Sequence, residues 1–113
     1  MIMKLTHSLI TPVFALLMLG NLGMAQSEDL FDKATASYNQ GNYEEAIGFY
    51  EQILSNGEHS AALYFNMGNA HYKQNEVAPS IYYYEKALLL KPGDTEILNN
   101  LAYARNMTLD DIS

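Results

Sequence analysis

The segment YKQNEVAPSIYYYEKAL at residues 72–88 repeats an earlier segment, YNQGNYEEAIGFYEQIL at residues 38–54. The two copies lie 34 residues apart and align without a gap. The aligned pairs include Tyr38 with Tyr72, Ile47 with Ile81, Tyr50 with Tyr84 and Leu54 with Leu88. A period of this length is typical of a solenoid built from helix–turn–helix units. We therefore predict repeat one at residues 27–60, repeat two at residues 61–94 and a capping helix at residues 95–107.

Apolar residues within each repeat recur three and four positions apart, which indicates helices with one buried face. In the second helix of repeat two this stripe is Val77, Ile81, Tyr84, Ala87 and Leu88. Small residues stand at equivalent places in the repeats, namely Ala34, Gly68 and Ala102 in the first helices and Ala46 and Ser80 in the second. Because small side chains let helices approach closely, the pattern predicts tightly paired helices and an all-α fold.

The turns agree with this division. Gly41 and Asn75 stand where a first helix must end, and these residue types most readily adopt a left-handed backbone. Asn42 and Glu45 resemble a capping box for the second helix of repeat one. Asp94 is predicted to cap the final helix.

Composition excludes several classes of function. Of 113 residues, 49% are hydrophobic and 17% charged, which indicates one globular domain. The formal charge of −7, with only 6 Lys and Arg, argues against nucleic-acid binding. The chain has no cysteine, and His59 and His71 lack the spacing of shared metal ligands. We therefore expect neither an enzyme nor a bound cofactor.

Residues 1–25 read as a secretory signal peptide, with Lys4 before the apolar run SLITPVFALLML and small residues at Gly23 and Ala25. Cleavage after Ala25 would leave a formal charge of −8, because the removed segment holds Lys4 and no acid. The alternative is an uncleaved membrane anchor. Either interpretation predicts that the remaining chain is exported.

The segment ALYFNMGNAHYKQNEVAPSIYYYEKALLLKPGD, residues 62–94, resembles a tetratricopeptide repeat, and the resemblance extends over residues 27 to about 107. Repeat one departs from that pattern with Lys33 in place of a large apolar residue and Glu58 in place of the terminal proline. More narrowly, the predicted signal peptide followed by these repeats is similar to BatE-like proteins of Bat aerotolerance operons. That resemblance implies a domain in the periplasm, or at the periplasmic face of the inner membrane, beside membrane-anchored von Willebrand A domain proteins and a MoxR-type ATPase.

A tetratricopeptide resemblance also implies a concave groove, lined by the first helix of each repeat, that receives a peptide or helix of a partner protein. The groove positions it implies are Phe31, Thr35, Tyr38, Phe65, Asn66, Asn69, Tyr72, Lys73, Asn99, Asn100 and Tyr103. Asn66 matches the carboxylate clamp of chaperone-tail-binding relatives, but the positions that should be basic are Phe31, Glu96 and Asn100. The clamp is therefore not expected here. The negative net charge of the chain would repel an acidic tail, so we expect a neutral or basic partner segment.

The outer side of the capping helix should remain partly exposed, because a solenoid unit cannot bury its apolar face alone. We expect Leu98 and Leu101 to cover repeat two, and the uncovered side to support self-association or docking onto a partner. Two hypotheses follow: an exported protein-binding module, or a structural, self-associating piece with no peptide ligand.

Overall fold

The computed structural model describes residues 26–112, and the side chains as far as residue 109. The predicted signal peptide lies outside these residues. The described part of the chain is all-α, as predicted. Its helices are α1 at 26–39, α2 at Tyr43–Ser55, α3 at Ala61–Lys73, α4 at Val77–Leu90 and α5 at Thr95–Ile112.

The helices stack in chain order, so that each connection turns the chain back onto its neighbour. Helix α3 packs against both α2 and α4, and α4 packs against α5. One core cluster joins α1, α2 and α3 through Ala34, Ala46, Tyr50, Ile53, Leu63 and Met67. A second joins α3, α4 and α5 through Tyr64, Tyr84, Ala87, Ile97, Leu101 and Ala104. Leu54 and Tyr83 contact both clusters, so the two repeats share one continuous apolar interior.

Helices α3 and α4 approach closely at Gly68, where the ring of Tyr84 fills the space that a side chain would occupy. A β-carbon at Gly68 would lie 2.5 Å from one ring carbon of Tyr84 and 2.6 Å from another. Tyr84 is only 1% exposed, and Ser80, one turn earlier on α4, is fully buried. The prediction that small residues permit tight pairing is therefore confirmed in repeat two.

The predicted turns are confirmed by the backbone. Gly41 has φ of 82° and Asn75 has φ of 61°, both in the left-handed region. Asn75 N–H donates to the carbonyl of Tyr72, and the following N–H, of Glu76, donates to the carbonyl of His71. These bonds close the end of α3 and start the return path toward α4.

The helix starts differ from one another. Asp94 caps α5 as predicted, since its Oδ1 accepts from the Ile97 N–H at 3.0 Å. Asn42 precedes α2, but its side chain makes no capping bond, so the predicted capping box is wrong. The N-cap residue has ψ of 70°, outside the extended range that directs a side chain back onto the first turn. Ser60 caps α3 by accepting from the Leu63 N–H at 3.0 Å.

Replacing Ser60 with alanine should lower the free energy of unfolding by about 1 kcal/mol, because the Leu63 N–H loses its partner at a helix start. Asn42→Ala is the matched control, since the Asn42 side chain makes no such bond. Urea titrations followed by circular dichroism would measure both variants. An equal cost for the two substitutions would contradict the assignment of the cap to Ser60.

Helix α5 differs from the predicted capping helix in length and in rotation. It continues to Ile112, five residues beyond the predicted end at 107, through a segment without glycine or proline. Leu101 is buried as expected, but the expectation for Leu98 is wrong, because Leu98 is 45% exposed. The residue that is buried beside Leu101 is Ile97. One residue corresponds to about 100° of rotation, so this shift turns Leu98 away from α4.

None of the helices within residues 26–112 is both long enough and apolar enough to cross a membrane.

Candidate partner-binding groove

A pocket of about 230 Å³ opens on the face formed by α1, α3 and α5, the first helices of the predicted repeats. It is lined by Tyr38, Asn69, Tyr72, Lys73, Tyr84, Asn100 and Tyr103. All of these except Tyr84 belong to the predicted groove. The fold therefore brings six of the eleven predicted residues together, from three helices that are separate in sequence.

The polar part of this pocket is a hydrogen-bonded set of three side chains. The Tyr84 hydroxyl donates to Asn69 Oδ1 at 2.6 Å, and Asn100 Nδ2 donates to the same oxygen at 3.0 Å. Asn69 Oδ1 thus accepts two bonds, which sets the orientation of its amide. Asn69 Nδ2 and Asn100 Oδ1 make no side-chain hydrogen bond to any residue that the structure describes. The Asn69 amide nitrogen, a donor, and the Asn100 amide oxygen, an acceptor, therefore remain for a ligand.

The environment of Tyr84 keeps its hydroxyl protonated. Burial raises the pKa of Tyr84 above its ordinary value, and the neighbouring Tyr38 raises it further. The hydroxyl consequently remains a donor to Asn69 throughout the physiological range. Burial likewise raises the pKa of Tyr38, with Tyr43 adding to the effect.

These raised tyrosine pKa values predict alkaline unfolding. Burial is the largest cause of the increase for Tyr38, Tyr50, Tyr83 and Tyr84. A pKa that is higher in the folded state means that stability is complete below the unfolded value near 10 and falls as pH rises above it. Circular dichroism and tyrosinate absorbance recorded together should show that these four tyrosines ionise only as the helices are lost. Ionisation of all tyrosines with the helices intact would contradict this.

Thr35 occupies in repeat one the position that Asn69 occupies in repeat two. The two residues are 34 positions apart, as are Tyr50 and Tyr84. Burial raises the pKa of Tyr50, and a smaller effect of Thr35 lowers it. The Thr35 hydroxyl donates to the carbonyl of Phe31 at 3.0 Å. Thr35 does not line the pocket.

The remaining predicted groove residues also lie outside this pocket. Phe31 packs edge-on against Tyr50, with ring centroids 5.8 Å apart, and Phe65 packs against Tyr84 at 5.9 Å. Asn66 is half-buried and Asn99 is exposed. The two phenylalanines therefore support the buried tyrosines from the side.

Tyr84 is the pocket residue that the sequence analysis did not include, because its position in the apolar stripe assigned it to the core. In the structure Tyr84 belongs to both the core and the pocket, because its ring is buried and its hydroxyl reaches the pocket. A tyrosine at a buried stripe position usually has a polar partner for its hydroxyl. That preference was the available signal, and it applies equally to Tyr50.

The pocket differs in charge from the chain as a whole. Lys73 is the only charged residue that lines it, whereas the chain carries a formal charge of −7. A ligand in the pocket therefore meets a cation and hydrogen-bond donors, while a ligand approaching from a distance meets a negative field.

The histidines take part in packing elsewhere. The His71 ring stacks on Tyr83 with centroids 5.4 Å apart, and its Nδ1 lies 3.3 Å from Glu76 Oε1. His59 Nδ1 contacts the Tyr64 hydroxyl. Within the residues that the structure describes, no group of three or more His, Cys, Asp or Glu side chains could hold a metal ion.

Residues 61–94 match the tetratricopeptide repeat family. The chain contains a tetratricopeptide repeat. The matched residues comprise α3, α4 and the turns that follow them, and repeat one at 27–60 packs in the same way around Tyr50. A search of the curated proteins gives no match to the chain. Tetratricopeptide repeats are in general protein-interaction modules and scaffolds without catalytic activity, so the family supports protein binding in general.

Proposed function

We propose that this protein binds an extended segment of a partner protein in the pocket between α1, α3 and α5. The observation that carries the proposal is the hydrogen-bonded set of Tyr84, Asn69 and Asn100. It leaves the Asn69 amide nitrogen as a donor and the Asn100 amide oxygen as an acceptor in a pocket otherwise lined by tyrosines and Lys73.

A peptide backbone presents the same two groups, a carbonyl acceptor and an N–H donor. Asn69 Nδ2 can donate to such a carbonyl, and Asn100 Oδ1 can accept from the N–H. Because Tyr84 and Asn100 already hold the Asn69 amide in place, less side-chain entropy is lost when the ligand binds. The amide set would thus bind the backbone, and the choice of sequence would come from other contacts.

The surrounding side chains supply that choice. Tyr38, Tyr72 and Tyr103 offer apolar area with polar tips, which suits partner residues that are themselves apolar or aromatic. Lys73 adds a cation at the rim, which can pair with a partner carboxylate. A mainly neutral segment with an acidic residue placed to reach Lys73 fits both features.

The finer proposal is that binding takes place outside the cytoplasm, in a Bat-like membrane complex with von Willebrand A domain proteins and a link to aerotolerance. It is supported by the signal-peptide pattern of residues 1–25 and by the BatE-like resemblance of the repeats. Fusing residues 1–25 to a reporter that is active only after export would test the location. An inactive reporter, with the fusion protein recovered from the cytoplasm, would contradict it.

Binding can be tested with peptides selected from a displayed random library against the purified chain. Affinities of the selected peptides would then be measured by calorimetry for Asn100→Ala and for its neighbour Asn99→Ala. Asn100→Ala should weaken binding about tenfold, the value of one lost hydrogen bond, because the Asn100 acceptor is removed. The Asn69 amide is then held by Tyr84 alone. Asn99→Ala should bind normally, because Asn99 does not line the pocket.

A second pair of variants tests the apolar contribution. Tyr103→Ala removes an exposed tyrosine that lines the pocket, and Tyr82→Ala removes an exposed tyrosine on α4 that does not. Peptide binding should fall for Tyr103→Ala only. Selection of no peptide, or equal affinities across all four variants, would overturn the proposed function.

A further inference from the structure

Helix α5 carries a second stripe beside the one that packs on α4, and this second stripe is apolar except for one arginine. The stripe consists of Leu98, Ala102, Arg105 and Leu109, spaced four, three and four residues apart and therefore on one side of the helix. All four are exposed, Leu109 by 64%. No residue that the structure describes covers this stripe.

The repeat explains why such a stripe exists. Leu98 and Ala102 stand 34 residues after Tyr64 and Gly68. Both of those residues face α4, since Tyr64 stacks on Tyr83 and Gly68 receives the ring of Tyr84. Helix α5 therefore presents the surface on which a first helix receives its second helix. In each described repeat that second helix runs back along the first after a short turn. The stripe is shaped for an antiparallel helix.

The neighbouring end of α4 is also unusually apolar. Leu89 and Leu90 are 80% and 55% exposed, whereas the equivalent positions of repeat one are Ser55 and Asn56. Solenoid ends that face water usually carry polar residues. This end of the domain thus has the composition of an interface.

We propose that a second copy of this chain covers the stripe, with the two α5 helices antiparallel across a two-fold axis between Ala102 and Arg105. This arrangement places Leu98 opposite the partner's Leu109 and Ala102 opposite the partner's Arg105. The stripe is then its own complement, with a leucine near each end and a small residue facing a long one between them. Self-complementarity of this kind is what a two-fold interface requires.

The charges on the stripe permit this pairing. Arg105 is its only charged residue, and its Nη2 lies 2.9 Å from Glu85 Oε1 of the same chain. The aliphatic part of Arg105 can cover the partner's Ala102 while the guanidinium stays with Glu85. The acidic charge of the whole chain opposes association from a distance, so added salt should strengthen the dimer.

The oligomeric state tests the proposal directly. Sedimentation equilibrium over a range of concentrations should give a dimer for the natural chain and a monomer for Leu98→Glu, with the helical circular dichroism unchanged. Tyr82→Glu is the matched control, because Tyr82 is exposed on α4 away from the stripe, and it should remain a dimer. A monomeric natural chain at the highest concentration, or a dimer that survives Leu98→Glu, would overturn the proposal.

Cysteine crosslinking tests the orientation, since the chain has no cysteine of its own. An equimolar mixture of Leu98→Cys and Leu109→Cys chains should form an intermolecular disulfide on mild oxidation. Each variant alone should crosslink weakly, because Leu98 faces the partner's Leu109 and not the partner's Leu98. Crosslinking of each variant with itself, and not in the mixture, would overturn the antiparallel arrangement. Peptide binding in the groove is a separate measurement, so the two proposals can fail independently.

Discussion

Replacing Tyr84 with alanine is expected to lower the free energy of unfolding by about 3–5 kcal/mol, the range for removing a fully buried aromatic side chain. The ring is 1% exposed and fills the space over Gly68, and Phe65 packs against it from α3. Its removal leaves a cavity between α3 and α4, and Asn69 loses a hydrogen-bond donor. Both losses occur at the centre of the matched tetratricopeptide repeat.

Tyr84→Phe separates the ring from the hydroxyl. It keeps the packing over Gly68 and removes the bond to Asn69, so it should cost about 1 kcal/mol. Denaturant titrations of both variants and of Tyr82→Ala would rank the three. Tyr84→Ala should be the most damaging, and Tyr82→Ala should be close to the natural chain because Tyr82 is exposed. A cost for Tyr84→Ala no larger than for Tyr82→Ala would contradict the packing described above.

Gly68→Ala is expected to destabilise the protein by about 1–3 kcal/mol, the usual cost of overpacking. The new β-carbon would lie 2.5 Å from the Tyr84 ring, which is rigid, buried and hydrogen-bonded to Asn69. The ring cannot move aside without opening the pairing of α3 with α4. The better helix propensity of alanine offsets only part of this cost.

Gly48→Ala is the matched control, with an expected effect of opposite sign. Gly48 lies inside α2, and nothing stands within 4 Å of a β-carbon built there. The substitution should therefore stabilise the protein by about 0.5–1 kcal/mol, the difference in helix propensity between glycine and alanine. Thermal unfolding of the two variants would decide the matter, and stabilisation by both would show that the Gly68 contact is not tight.

Tyr84 also connects stability with the proposed binding. Without its hydroxyl the Asn69 amide is held by Asn100 alone. Tyr84→Phe should therefore weaken peptide binding in a chain that is still folded. Tyr84 thus belongs to both the core and the pocket. The effect of a substitution at Tyr84 must therefore be measured on the free energy of unfolding and on peptide affinity.

The sequence by itself determined the all-α architecture, the two repeats and the left-handed turns at Gly41 and Asn75. A 34-residue period and an apolar stripe at helical spacing are properties of the chain that no later packing can alter. Gly41 and Asn75 adopt the predicted left-handed backbone because that requirement is local. An exposed apolar side on α5 was likewise predicted, but the residues that form it were not.

Only the tertiary structure decided how far each helix is rotated against its neighbours. A helical period defines which residues share a face. Whether Ile97 or Leu98 takes the buried position depends on the rotation of α5 about its axis as it packs on α4. The same packing selected six of the eleven predicted groove residues and brought the Tyr84 hydroxyl to Asn69 and Asn100. These groups are 15 and 31 residues apart in their hydrogen-bonded pairs, and their contact depends on distances between helices that no local pattern encodes.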